Sequence, residues 1–353
     1  MQQIDIAALF CFFRWFGFFL CFLMVTVVQN IRKRILALGA DVQFGAKLTG
    51  LELQDGKLSG VRYQTDCQEQ TLACQHVILA IGHSARDTVQ MLHNAKVPMA
   101  PKPFSMGVRI EHRQQAINQS QYGPFAEHAA LPAADYKLNC HLPDGSSAYT
   151  FCMCPGGVVV AAASELGGVV TNSMSYYARD LENANSALLV TLNPAEFPDK
   201  SVLGGMYWQQ ELERACFLAG GSKYFAPAQL VGDFLQNRPS TKLGTVQPTY
   251  RPGVTLCNLA DILPQKLTLT LRQALQALDQ RLSGFACPDA VLTAPETRSS
   301  SPVRILRGDD RQSAIRGLYP CGEGAGYAGG ITSAAVDGML SAEALLQTLS
   351  AQS

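Results

Sequence analysis

The chain has 353 residues, enough to bury a large core and ordinarily to divide into two domains. Apolar residues make up 47% and charged residues 16%, which excludes a disordered chain. Because 28 basic side chains balance 28 acidic ones, no global field selects nucleic acid or an anionic membrane, and the expected partner is a small-molecule substrate.

From Ile6 to Val28 the sequence is apolar and interrupted by one charge, Arg14. That length suits a membrane span, and the basic "QNIRKRI" after it would then face the cytoplasm. Everything beyond Asn30 has the texture of a soluble α/β protein. The expectation is therefore an aberrant start joined to a cytoplasmic protein, the alternatives being a buried core helix or a membrane anchor.

"NIRKRILALGADVQF" places Ile31, Ile35 and Leu38 at helical spacing, stops at Gly39 and passes into the alternating Val42 and Phe44 of an expected strand. Two alternating runs in "KLTGLELQDGKLSGVRYQ" are joined at Asp55-Gly56, a strong hairpin signal, and "QTLAC" extends the meander. "HVILAIG", from His76 to Gly82, reads as a strand buried on both faces and ending in a glycine turn.

From about Val97 short strands alternate with polar loops, in "FSMGVRIEH", "AYTFCM" and "GGVVVAAASE". One amphipathic helix, "LTLTLRQALQALDQRLS", puts Leu271, Leu275, Leu278 and Leu282 on one stripe. A further strand is expected in "SPVRILR", Ser301 to Arg307.

The chain closes on "GLYPCGEGAGYAGGITSAAVDGM", Gly317 to Met339. Leu318 to Cys321 can form a strand, Gly322 to Gly330 a loop, and Ile331 onward a helix with Ala334, Ala335, Gly338 and Ala342 on its close-packing side. Such a loop binds phosphates, because backbone N–H groups reach the anion and the helix N-terminus adds its dipole. Gly324, Gly326 and Gly329 spell G-x-G-x-x-G, yet only one helix and a tail follow, so the loop is not a Rossmann fingerprint. The alternative is that the glycines serve only a tight turn and helix packing.

The eleven cysteines are too sparse for a disulfide scaffold and are expected as reduced, mostly buried thiols. Only Cys152 and Cys154 lie close together, and without a second pair or a histidine cluster they do not make a zinc site, so no metal is expected. Residues one apart on a strand share a face and rarely form an unstrained disulfide, which leaves core packing or substrate contact. His112, His128 and His141 are read as structural.

The order of these elements resembles the glutathione-reductase-like class of FAD flavoproteins. "AIGHSARDT", "KPFSMGVRIEH", "FCMCPGG", "SSPVRI" and the closing glycine segment resemble, more narrowly, the bacterial FAD-dependent dehydrogenase family, over roughly Asn30 to Leu346. The resemblance implies an α/β (α+β) fold: an incomplete, discontinuous Rossmann-like FAD/NAD(P)-binding domain with an inserted β-rich substrate domain. Residues 1–29 would be the apolar segment, 30–96 and 300–353 the two parts of the FAD domain, and 97–299 the substrate domain.

The implied cofactor is FAD. Gly82, Gly322, Gly324, Gly326, Gly329, Gly330 and Ile331 would line it, and Glu323 would accept a hydrogen bond from a ribityl hydroxyl. His83, Ser84 and Arg86 follow the buried strand: Arg86 or His83 would stabilise charge on a reduced flavin, or else Ser84 caps a helix and Asp87 meets its dipole. Arg298, Ser299, Ser300 and Ser301 would bring a cation and hydroxyls over the ring, or else form a solvated loop.

The implied activity is that of a FAD-dependent oxidoreductase with no catalytic residue assigned; the alternative is a flavoprotein remnant or binding protein. The sequence does not reveal whether NAD(P)H takes part. Flavoproteins of this class begin with a βαβ unit that this chain does not show before Asn30, so little retained flavin is expected.

Overall fold

The computed structural model describes residues 21–66 and 68–351, and the side chains from Thr26 onward. Ile6 to Leu20, most of the apolar run, lies outside the described residues. Among those described, no helix is long and apolar enough to cross a membrane.

Helix α1 (Cys21–Ala37) runs through residue 29 without a break and stops before Gly39, whose φ of +85° marks the turn. The strand expected at Val42 and Phe44 does not form: residues 40–46 are irregular and Phe44 is exposed. A strand exists only through its ladder, and no described segment pairs with these residues.

Three antiparallel strands follow as a meander, β1 (Lys47–Gln54), β2 (Lys57–Thr65) and β3 (Gln68–Ala73). Asp55 and Gly56 join the first two with φ values of +50° and +73°, the pair of left-handed conformations that a two-residue hairpin demands. The buried run gives only a short strand, β4 (Val77–Leu79), with Leu79 alone fully buried. It is followed by α2 (Arg86–Asn94) and β5 (Met99–Pro101).

The largest layer is a mixed sheet of seven strands. It comprises β6 (Phe104–Arg113), β7 (Asn139–His141), β8 (Ser147–Cys154), β11 (Asn183–Leu192), β12 (Ala226–Leu230), β13 (Val254–Leu256) and β14 (Val291–Glu296), in the order β13-β12-β14-β6-β11-β8-β7. A hairpin of β9 (Gly157–Ala161) and β10 (Thr171–Ser175) contacts this sheet at β14, β6, β11 and β8. Helices α3 (Gln114–Tyr122), α4 (Gly204–Ala219), α5 (Val231–Leu235) and α6 (Gln265–Asp279) complete the layer.

Pleating separates the two faces of β6. Phe104, Met106, Val108 and Ile110 join a core with Leu267, Leu271, Leu275 and Leu278 of α6, each leucine contributing roughly 1.5–3 kcal/mol of transfer free energy. Ser105, Arg109 and Glu111, on the alternate positions, are buried polar groups. Leu282, expected on the α6 stripe, packs in the same core just beyond the helix end.

The single helix expected in this region is joined by a second long one, α4. Its sequence begins Gly-Gly and buries Gln209 and Glu213 beside Trp208 and Leu212, so no clean apolar stripe announces it.

The chain then returns to the first part. Strand β15 (Val303–Ile305) pairs antiparallel with β5, and β16 (Leu318–Pro320) pairs parallel with β4. The last helix, α7 (Ile331–Ser350), buries Asp337, Ser341 and Leu345. Ala334, Gly338 and Ala342 flank that stripe half-buried, but Ala335 is exposed, so the packing side is rotated by about one residue from the expected one.

Candidate functional site

The parallel pair β4–β16 positions the candidate site. In parallel sheets the loops at the carboxyl ends of neighbouring strands form the ligand crevice, and here those loops are Ile81–Ala85 and Cys321–Gly330. Each turns on a left-handed glycine, Gly82 with φ +67° and Gly322 with φ +73°.

The glycines of the second loop divide by what surrounds them. A Cβ on Gly324 would stand 2.4 Å from the carbonyl oxygen of Gly82, and one on Gly326 would stand 2.6 Å from that of Val303. Those two let the loop pack against its neighbours. A Cβ on Gly329 would meet nothing within 4 Å, and one on Gly330 only Ser333 Oγ at 3.9 Å. In front of Gly329 and Gly330 there is open space, and both are exposed.

Gly330 is also the N-cap of α7 and supplies no side-chain cap. Ser333 Oγ donates to the Gly330 carbonyl at 3.0 Å rather than accepting from an N–H of the first turn. The start of a 20-residue helix thus faces that open space with its N–H groups available.

Glu323 is 8% exposed. Its Oε1 lies 3.2 Å from His83 Nδ1, but the two are misaligned for a hydrogen bond and Nδ1 is left unpartnered. No other described side chain or N–H reaches this carboxylate. A nearly buried acceptor without a donor is costly to hold in a folded protein, and its lone pairs are available to a ligand.

The loop is held from behind by Asp337, which the sequence reading missed. Its carboxylate accepts from the Gly322 N–H at 2.8 Å, from Arg307 at 2.9 and 2.6 Å, and from Arg311 at 2.8 Å. Burial works against the charged form, but these donors hold its carboxyl down at about 2. The Arg307 guanidinium also stacks 3.6 Å from the centroid of the Tyr327 ring. The available signal was two arginines four apart, Arg307 and Arg311, with an acid on the facing helix.

Arg86 and Arg298 are brought together, but around protein carboxylates. Arg86 donates to both oxygens of Glu213 at 2.8 and 2.7 Å and to Glu165 at 3.2 Å. Arg298 reaches the same Glu213 oxygens at 3.1 and 2.8 Å, and its Nη1 donates to Ser164 Oγ. Burial alone would raise the Glu213 carboxyl; the two guanidiniums hold it at about 2. Both cations therefore tie α2 and the segment after β14 to α4, and neither is free.

Ser84 does not cap α2: the N-cap is Ala85 with no side-chain hydrogen bond. Asp87 does sit in the first turn, where it accepts from the Thr88 N–H at 2.8 Å and pairs with Lys47 at 2.5 Å. Ser84, Arg86, Gln90, Glu165, Tyr207 and Gln210 line a cavity of about 400 Å³ between α2 and α4.

Of the serines, Ser299 donates to the Ser105 carbonyl and Ser301 to the Val303 carbonyl, both at 2.8 Å. Ser300 is half-buried and has no described partner. Ile331 opens α7, 41% exposed.

A polar cluster lies beneath. Arg109, fully buried, pairs with Glu296 at 3.1 and 2.7 Å and donates to the Cys152 carbonyl and to Ser173. Opposite a register shift in β11, Cys152 adopts φ +44°. Its side chain is exposed, yet desolvation by neighbouring atoms pushes the thiol up to about 11. Neither Cys152 nor Cys154 is part of a disulfide, and Cys154 Sγ accepts from Ser173 Oγ at 3.0 Å.

His112 is buried with Nε2 2.8 Å from the Phe285 carbonyl, and burial lowers its pKa to about 4, so it stays neutral. His141 bonds Ser147 and His128 accepts from the Ala130 N–H. Among the described residues no group of His, Cys, Asp and Glu could hold a metal ion.

A family model described as "FAD-dependent protein, C-terminal domain-like" matches residues 103–299. A protein of Clostridium beijerinckii (strain ATCC 51743 / NCIMB 8052), called "Uncharacterized protein", is 48% identical over 327 residues, covering 92% of this chain and 61% of that one. The chain thus spans about 61% of the length of this relative. Among solved structures, the flavin-dependent brominase Bmp2 and a triple mutant of it align at 10% and 12% identity, over 51% of this chain and 36% of theirs. Their TM-scores of 0.26 and 0.25 are too low to indicate a shared fold.

Proposed function

The chain belongs to the FAD-dependent protein family, C-terminal domain-like, and from that premise we propose that it is part of a FAD-dependent oxidoreductase whose flavin lies across the carboxyl ends of β4 and β16. The observation that carries this reading is Glu323: a carboxylate almost out of solvent, in a glycine loop, with no aligned donor from the protein. A ribityl hydroxyl supplies the missing donor. Gly329, Gly330 and the uncapped start of α7 offer N–H groups and room for a phosphate, which is what the cofactor requires of a helix N-terminus.

When bound, FAD supplies hydride transfer, and the protein has to bind, orient and shield it. In this reading Gly324 keeps the two loops in register, Asp337 fixes Gly322, and His83 sets the position of the Glu323 carboxylate. Of the serines from 299 to 301, Ser300 is the one whose hydroxyl has no described partner and could meet a ligand. The residues present fit the cofactor on its ribityl and phosphate side. The domain arrangement proposed is a flavin domain in two parts, 30–96 and 300–353, around the segment 97–299.

The test is a titration of the chain with FAD, followed by quenching of flavin fluorescence. Saturable binding that Glu323→Ala weakens by roughly one to two decades supports the reading, the lost buried acceptor costing about 1–3 kcal/mol. Absence of saturable binding in the wild type, or equal affinity in the variant, overturns it.

A further inference from the structure

We propose that Lys102 and Arg304 form an oxyanion subsite beside the glycine loop, receiving a phosphate or carboxylate group. Lys102 follows β5 directly, and its N–H bonds the Pro302 carbonyl at 2.8 Å, continuing the β5–β15 ladder in which Arg304 faces Ala100. Lys102 and Arg304 are then diagonal neighbours on one face, within reach of one another for side chains of this length. The same strand runs along the loop: the Ile305 N–H bonds the Ala325 carbonyl at 3.1 Å, and a Cβ on Gly326 would stand 3.0 Å from Arg304 Cα.

The two cations lack what the other cations of the site have. Arg86, Arg109, Arg298, Arg307 and Arg311 all hold carboxylates at 2.6–3.2 Å. Among the described residues, Lys102 Nζ has only the Pro103 carbonyl at 3.5 Å, and Arg304 Nε only the Gly326 carbonyl at 3.4 Å, both at the outer limit of a hydrogen bond. Arg304 also lies 5.1 Å from the Tyr327 ring centroid, a contact that steadies the guanidinium without neutralising it.

Burial and then the charge of Arg304 lower the Lys102 pKa, opposed by the charge of Glu323. Arg304 is exposed and Lys102 half-buried, and although Glu323 lies within electrostatic reach of Lys102, neither cation makes an ion pair among the described residues; two like charges so held mark a place for an anion. Arg suits a planar, bidentate oxyanion and Lys a point contact. The inference adds a group to the proposed flavin site and rests on that reading only for the identity of the neighbouring cofactor.

The experiment measures binding of inorganic pyrophosphate, FAD and riboflavin to the whole chain at low salt, in wild type, Lys102→Met, Arg304→Met and, as a surface control, Arg316→Met. Pyrophosphate affinity should fall roughly tenfold in each site variant and hold in Arg316→Met, with thermal midpoints unchanged. Equal pyrophosphate affinity in all four proteins, or none in wild type, overturns the subsite. If FAD weakens in parallel while riboflavin does not, the cofactor's phosphates are the source of the anion. If FAD is unaffected, the subsite serves the acid group of a substrate. A chain that binds pyrophosphate through these two residues but binds no FAD keeps the subsite and discards the flavin reading.

Discussion

Glu213→Gln should destabilise the protein by about 3 kcal/mol, because it strips the shared partner from two guanidiniums that are 4% and 9% exposed. The figure follows from how far the two guanidiniums hold the Glu213 carboxyl below its ordinary value: from 4.5 to about 2, at 1.36 kcal/mol per pH unit, is about 3 kcal/mol. Removing one partner of a buried pair costs about 3–5 kcal/mol in general, and Glu165, within 3.2 and 3.6 Å of the same cations, keeps the loss at the low end.

The sign with pH is fixed by the same shift. A depressed carboxyl stabilises fully above its unfolded value and loses that contribution as pH falls through the folded one, so wild type and variant should converge between about pH 4.5 and pH 2. Urea unfolding, read through the buried Trp208, measures it at pH 7 and at intervals down to the acid limit. A loss below about 1 kcal/mol at pH 7, or a gap that persists at pH 2, would refute the account of this cluster.

Four further outcomes are expected. Gly324→Ala places a Cβ 2.4 Å from the Gly82 carbonyl oxygen and should lower stability by about 1–3 kcal/mol, measured by urea midpoint. Gly329→Ala meets nothing, so it should leave stability within about 0.5 kcal/mol while reducing FAD affinity in the fluorescence titration. Asp337→Asn keeps an acceptor for the Gly322 N–H but removes the charge facing Arg307 and Arg311, and should lower both stability and FAD affinity. Deleting residues 1–28 should leave the sheet intact by circular dichroism, because Ile31 and Leu36 of α1 are 45% and 49% exposed; unfolding would make the deleted segment part of the core.

What could be read from the sequence was local. Asp55-Gly56 fixed its hairpin because only certain residues tolerate two left-handed positions in a row, and the α6 leucines showed because 3.6-residue spacing is written in the chain itself. What was hidden depends on partners far away. Val42 and Phe44 alternate like a strand yet have no ladder. Arg86 looked like a free cation near a cofactor because its counter-charge, Glu213, is 127 residues away. Helix α4 escaped notice for the related reason that its inward face is polar to meet those arginines.

In the closing glycine segment the spacing of a motif and the cause of each glycine come apart. Gly324, Gly326 and Gly329 spell the spacing of a dinucleotide fingerprint, but two of the three are required by the protein's own backbone, at Gly82 and Val303. Only Gly329, with Gly330 beyond the motif, leaves space that a ligand can enter. Close approach by any group selects glycine, and a sequence cannot say whether that group is a carbonyl or a phosphate. The structure separates the cases because a Cβ added to a packing glycine collides and one added to a cradle glycine does not. By that criterion the open side of the loop is its last two glycines and the start of α7, and it is there, with Glu323, that the proposed ligand would lie, beyond the turn that Asp337 and Gly82 hold in place.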